Sequence, residues 1–181
     1  MNHRVQMKTP IGVLTIESNE DAITLITLPA KEPQHAPATN GRRRPAEAVE
    51  PMEPMEPVEP SNGEQIPAPL VAAMAQLEEY FAGQRRRFDL PLELDGTDFQ
   101  RRVWLGLSQI PYGETVSYAE MATMVGRPHA YRAVGQANGA NPVPIVLPCH
   151  RVVASGGGLG GYGGGLPMKR QLLALEGLDF E

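Results

Sequence analysis

One cysteine, Cys149, is all the thiol chemistry that this 181-residue chain possesses. A lone cysteine cannot close an internal disulfide. It cannot build a thiolate metal site either, because structural zinc takes several Cys or His ligands together. The chain also lacks long apolar runs: none approaches the roughly 20 residues that a membrane helix needs, so no membrane partner is expected. The start, Met1 to Pro10, has no apolar signal-peptide core. One thiol and no secretion signal point to a reducing, cytoplasmic location. Strong positive charge is missing as well, since the formal net charge is −5. From Thr97 onward, however, the bases Arg101, Arg102, Arg127, Arg132, Arg151, Lys169 and Arg170 slightly outnumber the acids. No overall field draws this part to nucleic acid, so any such contact must be local.

Residues 4–28 are rich in β-formers. Val13, Thr15 and Ile16 are followed by Ile23, Leu25, Ile26 and Leu28, with Asn19-Glu20-Asp21 as a turn. Composition changes over about 29–67, where Glu-Pro recurs at 50–51, 53–54, 56–57 and 59–60. Proline fixes φ and removes donors, which predicts an extended or disordered insertion. Order resumes near Pro69. Leu70, Val71, Met74, Leu77, Tyr80 and Phe81 follow helical spacing and Gly83 can end that helix. Alternation at Phe88, Leu90, Leu92 and Leu94 predicts a short strand. Thr97 or Asp98 can cap a helix carrying Phe99, Val103, Trp104 and Leu107.

Two short helices follow. Ser117 and Glu120 form a capping box, Gly126 suits a helix stop, and Arg127-Pro128 makes a turn. The second helix spans about 130–138, giving a helix-turn-helix outline that many all-α pieces share. Its small residues Ala130, Ala133 and Ala137 can press close to a groove, while Arg132 reaches in and Gln136 adds a polar contact. The expected fold class is α+β. A small mixed α/β domain at 1–96 carries the Pro/Glu-rich insertion, and an α-rich domain at 97–181 carries the helix-turn-helix and the cysteine.

Cys149 sits in the run Pro148-Cys149-His150-Arg151, with a glycine-dense loop from Gly156 to Gly165 just after it. A structural thiol and a nucleophile are both open at this point. The stiff proline, the adjacent histidine and a loop that lets a ligand approach backbone favour the nucleophile.

Residues 97–178 resemble the O6-alkylguanine-DNA alkyltransferases, the methylated-DNA–protein-cysteine methyltransferases. The matching stretches begin with Phe99-Gln100, Val103-Trp104, Ile110-Pro111 with Gly113, and Ser117-Tyr118. They continue through Arg132-Ala133-Val134-Gly135, Asn141-Pro142, Pro148 to Val152, Gly161-Tyr162, Gly164-Gly165-Leu166, Lys169, Leu172-Leu173 and Glu176-Gly177. Thr9 to Gly12 and Tyr80 to Gly83 fit the family's variable first domain. The resemblance implies DNA repair by one irreversible, stoichiometric transfer of the alkyl group of O6-alkylguanine to Cys149. It leaves O4-alkylthymine open as a second substrate. The implied partner is double-stranded DNA, bound from its minor groove by a monomer with no cofactor. His150 would activate the thiol through a water, with Glu176 orienting the imidazole. Arg132 would fill the space of the flipped base, and Tyr118 would turn the phosphate and place its hydroxyl at guanine N3. Ala133, Gln136 and Tyr131 would touch DNA beside them. Asn141 would hold the turn before the cysteine and Tyr162 would wall the pocket. The carbonyls of Cys149 and Val152 would meet the guanine amino group, and the Gly163 N–H would face O6. Some members hold a zinc in the first domain; this chain has only His3 and His35 there, so no metal is expected.

Two rivals predict different outcomes. An alkyltransferase-like damage binder would lack the acceptor cysteine, and a thiol hydrolase would release product and turn over. Tyr131 departs from the small residue usual at that position, which adds a groove contact or alters register. The glycine loop leaves little bulk over the pocket, so benzyl-sized adducts are expected to fit, with Pro144 as an apolar wall. The acidic insertion is expected to be dispensable. Deleting residues 33–62 should leave single-turnover alkyl transfer intact, and a large loss of activity would make the segment part of the fold.

Overall fold

The computed structural model describes residues 2–29 and 65–180. The Glu-Pro repeats lie outside those residues, and so do His35 and the stretch whose deletion is proposed.

Three strands form an antiparallel meander: β1 (His3–Thr9), β2 (Gly12–Ser18) and β3 (Ile23–Thr27), with β2 in the centre. Alternation puts Val5 and Met7 of β1, and Leu14 and Ile16 of β2, into the core. The register slips between Glu17 and Ser18, so β3 buries Ile23 and Ile26 rather than strictly alternate residues. Helix α1 (Ala68–Phe81) packs over this sheet through Leu70, Ala73, Leu77 and Tyr80. Gly83 follows with φ 72°, the left-handed conformation that ends helices readily.

The expected strand at 88–94 does not form. Only Leu92 bridges to Ile23, through Ile23 N–H to Pro91 O at 2.9 Å and Glu93 N–H to Ile23 O at 3.0 Å. Pro91 has no N–H to donate, so the segment crosses the sheet edge and cannot extend it.

The remaining helices are α2 (Asp98–Leu107), α3 (Tyr118–Met124), α4 (Tyr131–Gly139) and α5 (Leu166–Leu175). Thr97 caps α2 and Ser117 caps α3, each in a reciprocal capping box with Gln100 and Glu120 respectively. The turn from α3 to α4 closes through Arg127 N–H to Ala122 O at 2.8 Å and Ala130 N–H to Arg127 O at 2.8 Å. Trp104 is 2% exposed, and its Nε1 donates to Ala137 O at 2.7 Å, fastening α2 to α4. A side chain at Gly96 would come within 2.5 Å of the Trp104 ring, so glycine is required for that approach.

A two-residue parallel ladder pairs β4 (Val116–Ser117) with β5 (Val152–Val153). It sets the first residue of α3, Tyr118, beside the chain that leaves Cys149. One apolar cluster runs without a break from the sheet and α1 to the C-terminal helices. Among the described residues, no helix is long and apolar enough to cross a membrane.

The capping box of α2 holds the segment that carries Trp104. Thr97→Ala should therefore lower stability by about 1 kcal/mol. A chain of this length would then lose roughly 2–4 °C in Tm. An unchanged melting curve would show that the cap contributes nothing.

Candidate active site

The approach to Cys149 is strained. Ile145 has φ 74°, a conformation costly for a β-branched residue, and its side chain is fully buried. Asn141 braces this stretch: its Nδ2 donates to Leu147 O at 2.7 Å and its Oδ1 accepts from Val143 N–H at 3.1 Å. Pro148 then leads into a single 3₁₀ turn, Cys149–Arg151. Because the turn is short and continues into β5, three successive side chains diverge into one buried region.

Cys149 is 5% exposed and borders a cavity of about 190 Å³. Tyr118, Asn141, Pro144, Tyr162 and Gly163 line it with the cysteine, as do Leu28 from the end of the sheet and Asn138 of α4. Val152 does not line it; its carbonyl accepts from Lys169 Nζ at 2.6 Å. The Cys149 carbonyl accepts from Asn138 Nδ2 at 3.3 Å. The Tyr118 hydroxyl donates to Gly161 O at 3.4 Å. Burial pushes the Tyr162 phenol well up, Cys149 adds to the effect, and the hydroxyl has no hydrogen-bond partner among the described residues. A larger cleft of about 640 Å³, at Arg86, Tyr112 and Arg151, does not include the cysteine.

Burial also pushes the Cys149 thiol up, with Asn141 and Lys169 opposing. The resting residue is therefore a thiol, and its ionisation needs a proton acceptor. His150 is fully buried, and burial lowers its pKa against the opposite pull of Glu176. Its Nε2 lies 2.8 Å from Glu176 Oε1. A carboxylate only accepts, so Nε2 carries the proton and Nδ1 is left as an acceptor. Among the described residues Nδ1 has no partner. Sequence reasoning paired His150 with Glu176, and the structure sets the two in contact across 26 residues.

It missed the company that Glu176 keeps. Arg151, 5% exposed, donates Nε to Oε2 at 2.8 Å and Nη2 to Oε1 at 3.0 Å. The Gly113 N–H reaches Oε2 at 3.3 Å, and the Tyr80 hydroxyl donates to Oε1 at 2.7 Å. Burial raises the carboxyl, but His150 and Arg151 more than reverse this and hold it down to about 2. Lys169 was also missed. It is fully buried and its Nζ reaches the carbonyls of Val152, Leu159 and Gly161. Burial lowers it to about 8, with Cys149 opposing. The glycine loop is thus pinned at Leu159 and Gly161. Arg151 and Lys169 stood among the matching residues, but a charged residue at an unplaced position carries no signal of what it pairs with.

The residues expected to touch DNA sit apart from this network. Tyr131 is 49% exposed and Arg132 is exposed, its guanidinium 5.9 Å from the Tyr131 ring centre. Gln136 is exposed one turn on, and Ala133 is half-buried. His3 pairs with Glu20 at 2.9 Å.

The chain is similar to known proteins over most of its length. The model of the 6-O-methylguanine DNA methyltransferase DNA-binding domain matches residues 98–178, and that of its ribonuclease-like domain matches residues 3–94. The methylated-DNA–protein-cysteine methyltransferase of Mycolicibacterium paratuberculosis is 44% identical over 170 residues, covering 93% of this chain and 88% of that protein. The constitutive enzyme of Bacillus subtilis is 40% identical, covering 100% and 99%. The crystal structure of Mycobacterium tuberculosis OGT in complex with DNA superposes with a TM-score of 0.72 at 40% identity, covering 94% of this chain and 90% of that one. A cysteine beside a paired histidine and glutamate, on a fold matched from end to end, places this chain in the methylated-DNA–protein-cysteine methyltransferase family.

Proposed function

We propose that the chain repairs O6-alkylguanine in double-stranded DNA by a single transfer of the alkyl group to Cys149. The observation that carries this reading is the placement of the cysteine. It borders a small cavity on one side and adjoins the buried His150–Glu176 pair on the other. The exposed face of α4 supplies Arg132 and Gln136 one turn apart, with Tyr131 stacked on the arginine.

Chemistry on a base requires that the base leave the stack. Arg132 fills the space it vacates, and Tyr131, Ala133 and Gln136 contact the minor groove around it. Tyr118 turns the phosphate. Asn141 and Pro144 shape the cavity with Tyr162, and the Gly163 N–H faces O6. The carbonyls of Cys149 and Val152 meet the guanine amino group, each keeping a second lone pair beside its internal bond. Nδ1 of His150 takes the thiol proton through a bridging water, and Glu176 stabilises the imidazolium. The thiolate then attacks the alkyl carbon, and the carbon–O6 bond breaks with its electrons going to guanine. Tyr118 offsets the charge at N3 by donating its hydroxyl proton. The thioether formed has no route to hydrolysis, so the protein acts once, as a monomer, without a cofactor. Residues 1–96 and 97–181 form two domains that share one core.

Mixing the protein with a duplex carrying one O6-methylguanine should raise its mass by about 14 Da, the change for one methyl replacing a proton on a nucleophile. The label should map to the peptide containing Cys149 and vanish in Cys149→Ala. Binding of the lesion without a mass change would instead make this a damage-binding module, and release of free product would make it a hydrolase. The thin glycine loop and the Pro144 wall also admit larger adducts. Benzyl transfer should proceed within about tenfold of methyl transfer in single-turnover assays. A benzyl rate lower by orders of magnitude would show that the cavity is closed to such groups.

A further inference from the structure

The carboxylate of Glu176 receives donors from several directions. Four of its five bonds come from residues beyond position 96: His150, two from Arg151, and the Gly113 N–H. The fifth comes from Tyr80, in the last turn of α1, on the part of the chain that otherwise packs against the sheet. Tyr80 donates to Oε1, the same oxygen that accepts from His150 Nε2.

The phenol has no freedom to serve elsewhere. Tyr80 is fully buried, with Phe81, Phe88 and Tyr112 rings at 5.3, 5.4 and 6.2 Å. Glu176 is its partner at 2.7 Å. Two aromatic edges and a tilted ring hold the hydroxyl on one line. Such a group does more than satisfy a lone pair. A donor on Oε1 draws electron density from the oxygen that His150 leans on, and so weakens its pull on the imidazole proton. It also fixes the rotation of the carboxylate, and with it the plane in which the imidazole is held.

We propose that Tyr80 is a positioning residue for alkyl transfer, acting through Glu176 on His150, so that the strand-and-helix half of the fold sets the reactivity of Cys149. The inference rests on the alkyl-transfer reading given above. It differs from that reading in placing a determinant of the chemistry on α1, 96 residues from the carboxylate it contacts.

The charged and titratable groups around the network fix the sign of its pH dependence. The 3₁₀ turn contributes Cys149, His150 and Arg151. The segment before β4 contributes Tyr112, which faces both Glu176 and Arg151. The C-terminal helix and its end contribute Lys169 and Glu176, and Lys169 disfavours the charged imidazole. Tyr80 itself stays protonated, its pKa pushed well up by burial and then by Glu176. Removing its hydroxyl leaves Arg151 in place but makes Oε1 more basic. His150 then binds its proton more tightly, and its neutral form, which accepts the thiol proton, is lost at a higher pH.

Tyr80→Phe retains the ring and removes only the oxygen. With the wild type transferring its methyl group normally, the acid limb of the rate–pH profile should move up by roughly half to one pH unit. The plateau should fall about threefold to tenfold as the imidazole loses its fixed orientation. Iodoacetamide labelling of Cys149 should show the same limb shift without DNA, which separates it from any change in DNA binding. In a Glu176→Gln background the substitution should have no further effect on the limb, because the path runs through the carboxylate. An unshifted profile in a folded Tyr80→Phe protein would overturn the proposal, and so would an equal shift in the Glu176→Gln background. Failure of the wild type to transfer at all would instead sink the underlying reading.

A second measurement needs no substitution at Tyr80. Incorporating 3-fluorotyrosine strengthens each phenol as a donor. Tyr112 donates to Leu175 O and Tyr118 to Gly161 O, Tyr131 is exposed, and Tyr162 lies beside Cys149 rather than Glu176, so Tyr80 is the tyrosine whose change reaches Glu176 by a hydrogen bond. The iodoacetamide limb should move down in the fluorinated protein and stay in place in its Glu176→Gln counterpart. A limb that stays fixed in both proteins counts against the role as firmly as the phenylalanine variant would.

Discussion

A buried carboxylate needs compensation for every bit of hydration it loses, and Glu176 is where this fold supplies it. The group is 5% exposed. Removing one partner from such a buried ion pair costs about 3–5 kcal/mol, because the other charge is left uncompensated. Arg151 answers the charge with a two-pronged contact, and its third donor, Nη1, is used on Ile110 O at 2.6 Å. Arg151 thus offsets the carboxylate, and burial, with Arg151 and Lys169 adding to it, keeps His150 uncharged at rest. The elements that meet here are α1 through Tyr80, the loop before β4 through Gly113, the 3₁₀ turn through His150 and Arg151, and the end of α5 through Glu176 itself. Gly113 has φ 77°, and a Cβ there would press within 3.2 Å of the Glu176 carbonyl. The closeness of that loop is thus part of the same constraint.

Lys169 does for the glycine loop what Arg151 does for the carboxylate. Three carbonyls take its three donors, so a segment with little side-chain bulk is held by backbone oxygens. The Val152 carbonyl is one of them, and Val152 pairs with Val116 in the short ladder leading to Tyr118. Lysine, loop, ladder and tyrosine therefore form one continuous wall around the cavity. The ammonium also favours the thiolate of Cys149, while burial favours the thiol. Burial wins at rest, which suits a nucleophile that must survive unreacted until a lesion arrives.

Much of this was legible from residue types alone. Helix caps are local, so Thr97 (with Asp98 as the alternative) and the Ser117–Glu120 capping box marked helix starts that the structure carries, and Gln100 completes the box at Thr97. The unusual run around Cys149 announced itself against a chain with no other thiol. The strand reading at 88–94 failed for a local reason too. Alternation suggested a ladder, but Pro91 removes a donor and the paired stretch shrinks to one bridge. Apart from the His150–Glu176 pair, which came through the family resemblance, long-range pairing left no trace in the sequence. Tyr80 reads as one more apolar position on a core-facing helix, and only the folded chain brings its hydroxyl to Glu176. Arg151 and Lys169 read as charges, and nothing near them in sequence says that both are buried.

The short chain between α4 and the cysteine joins the surface that faces outward to the atom that reacts. It leaves the helix at Gly139, turns at Asn141, passes the strained Ile145 and arrives at Pro148. A β-branched residue in the left-handed region costs on the order of 1–3 kcal/mol. That cost persists because the surroundings allow no other path. The Ile145 side chain is fully buried, Asn141 clamps both sides of the turn, and Leu147 N–H returns to Val143 O at 3.0 Å. Asn138 ties the same helix directly to the Cys149 carbonyl. A displacement of α4 is therefore transmitted to the thiol through few, stiff connections. With Tyr80 reaching Glu176 from α1, the network beside the nucleophile draws on both halves of the chain, through a contact that neither half contains alone.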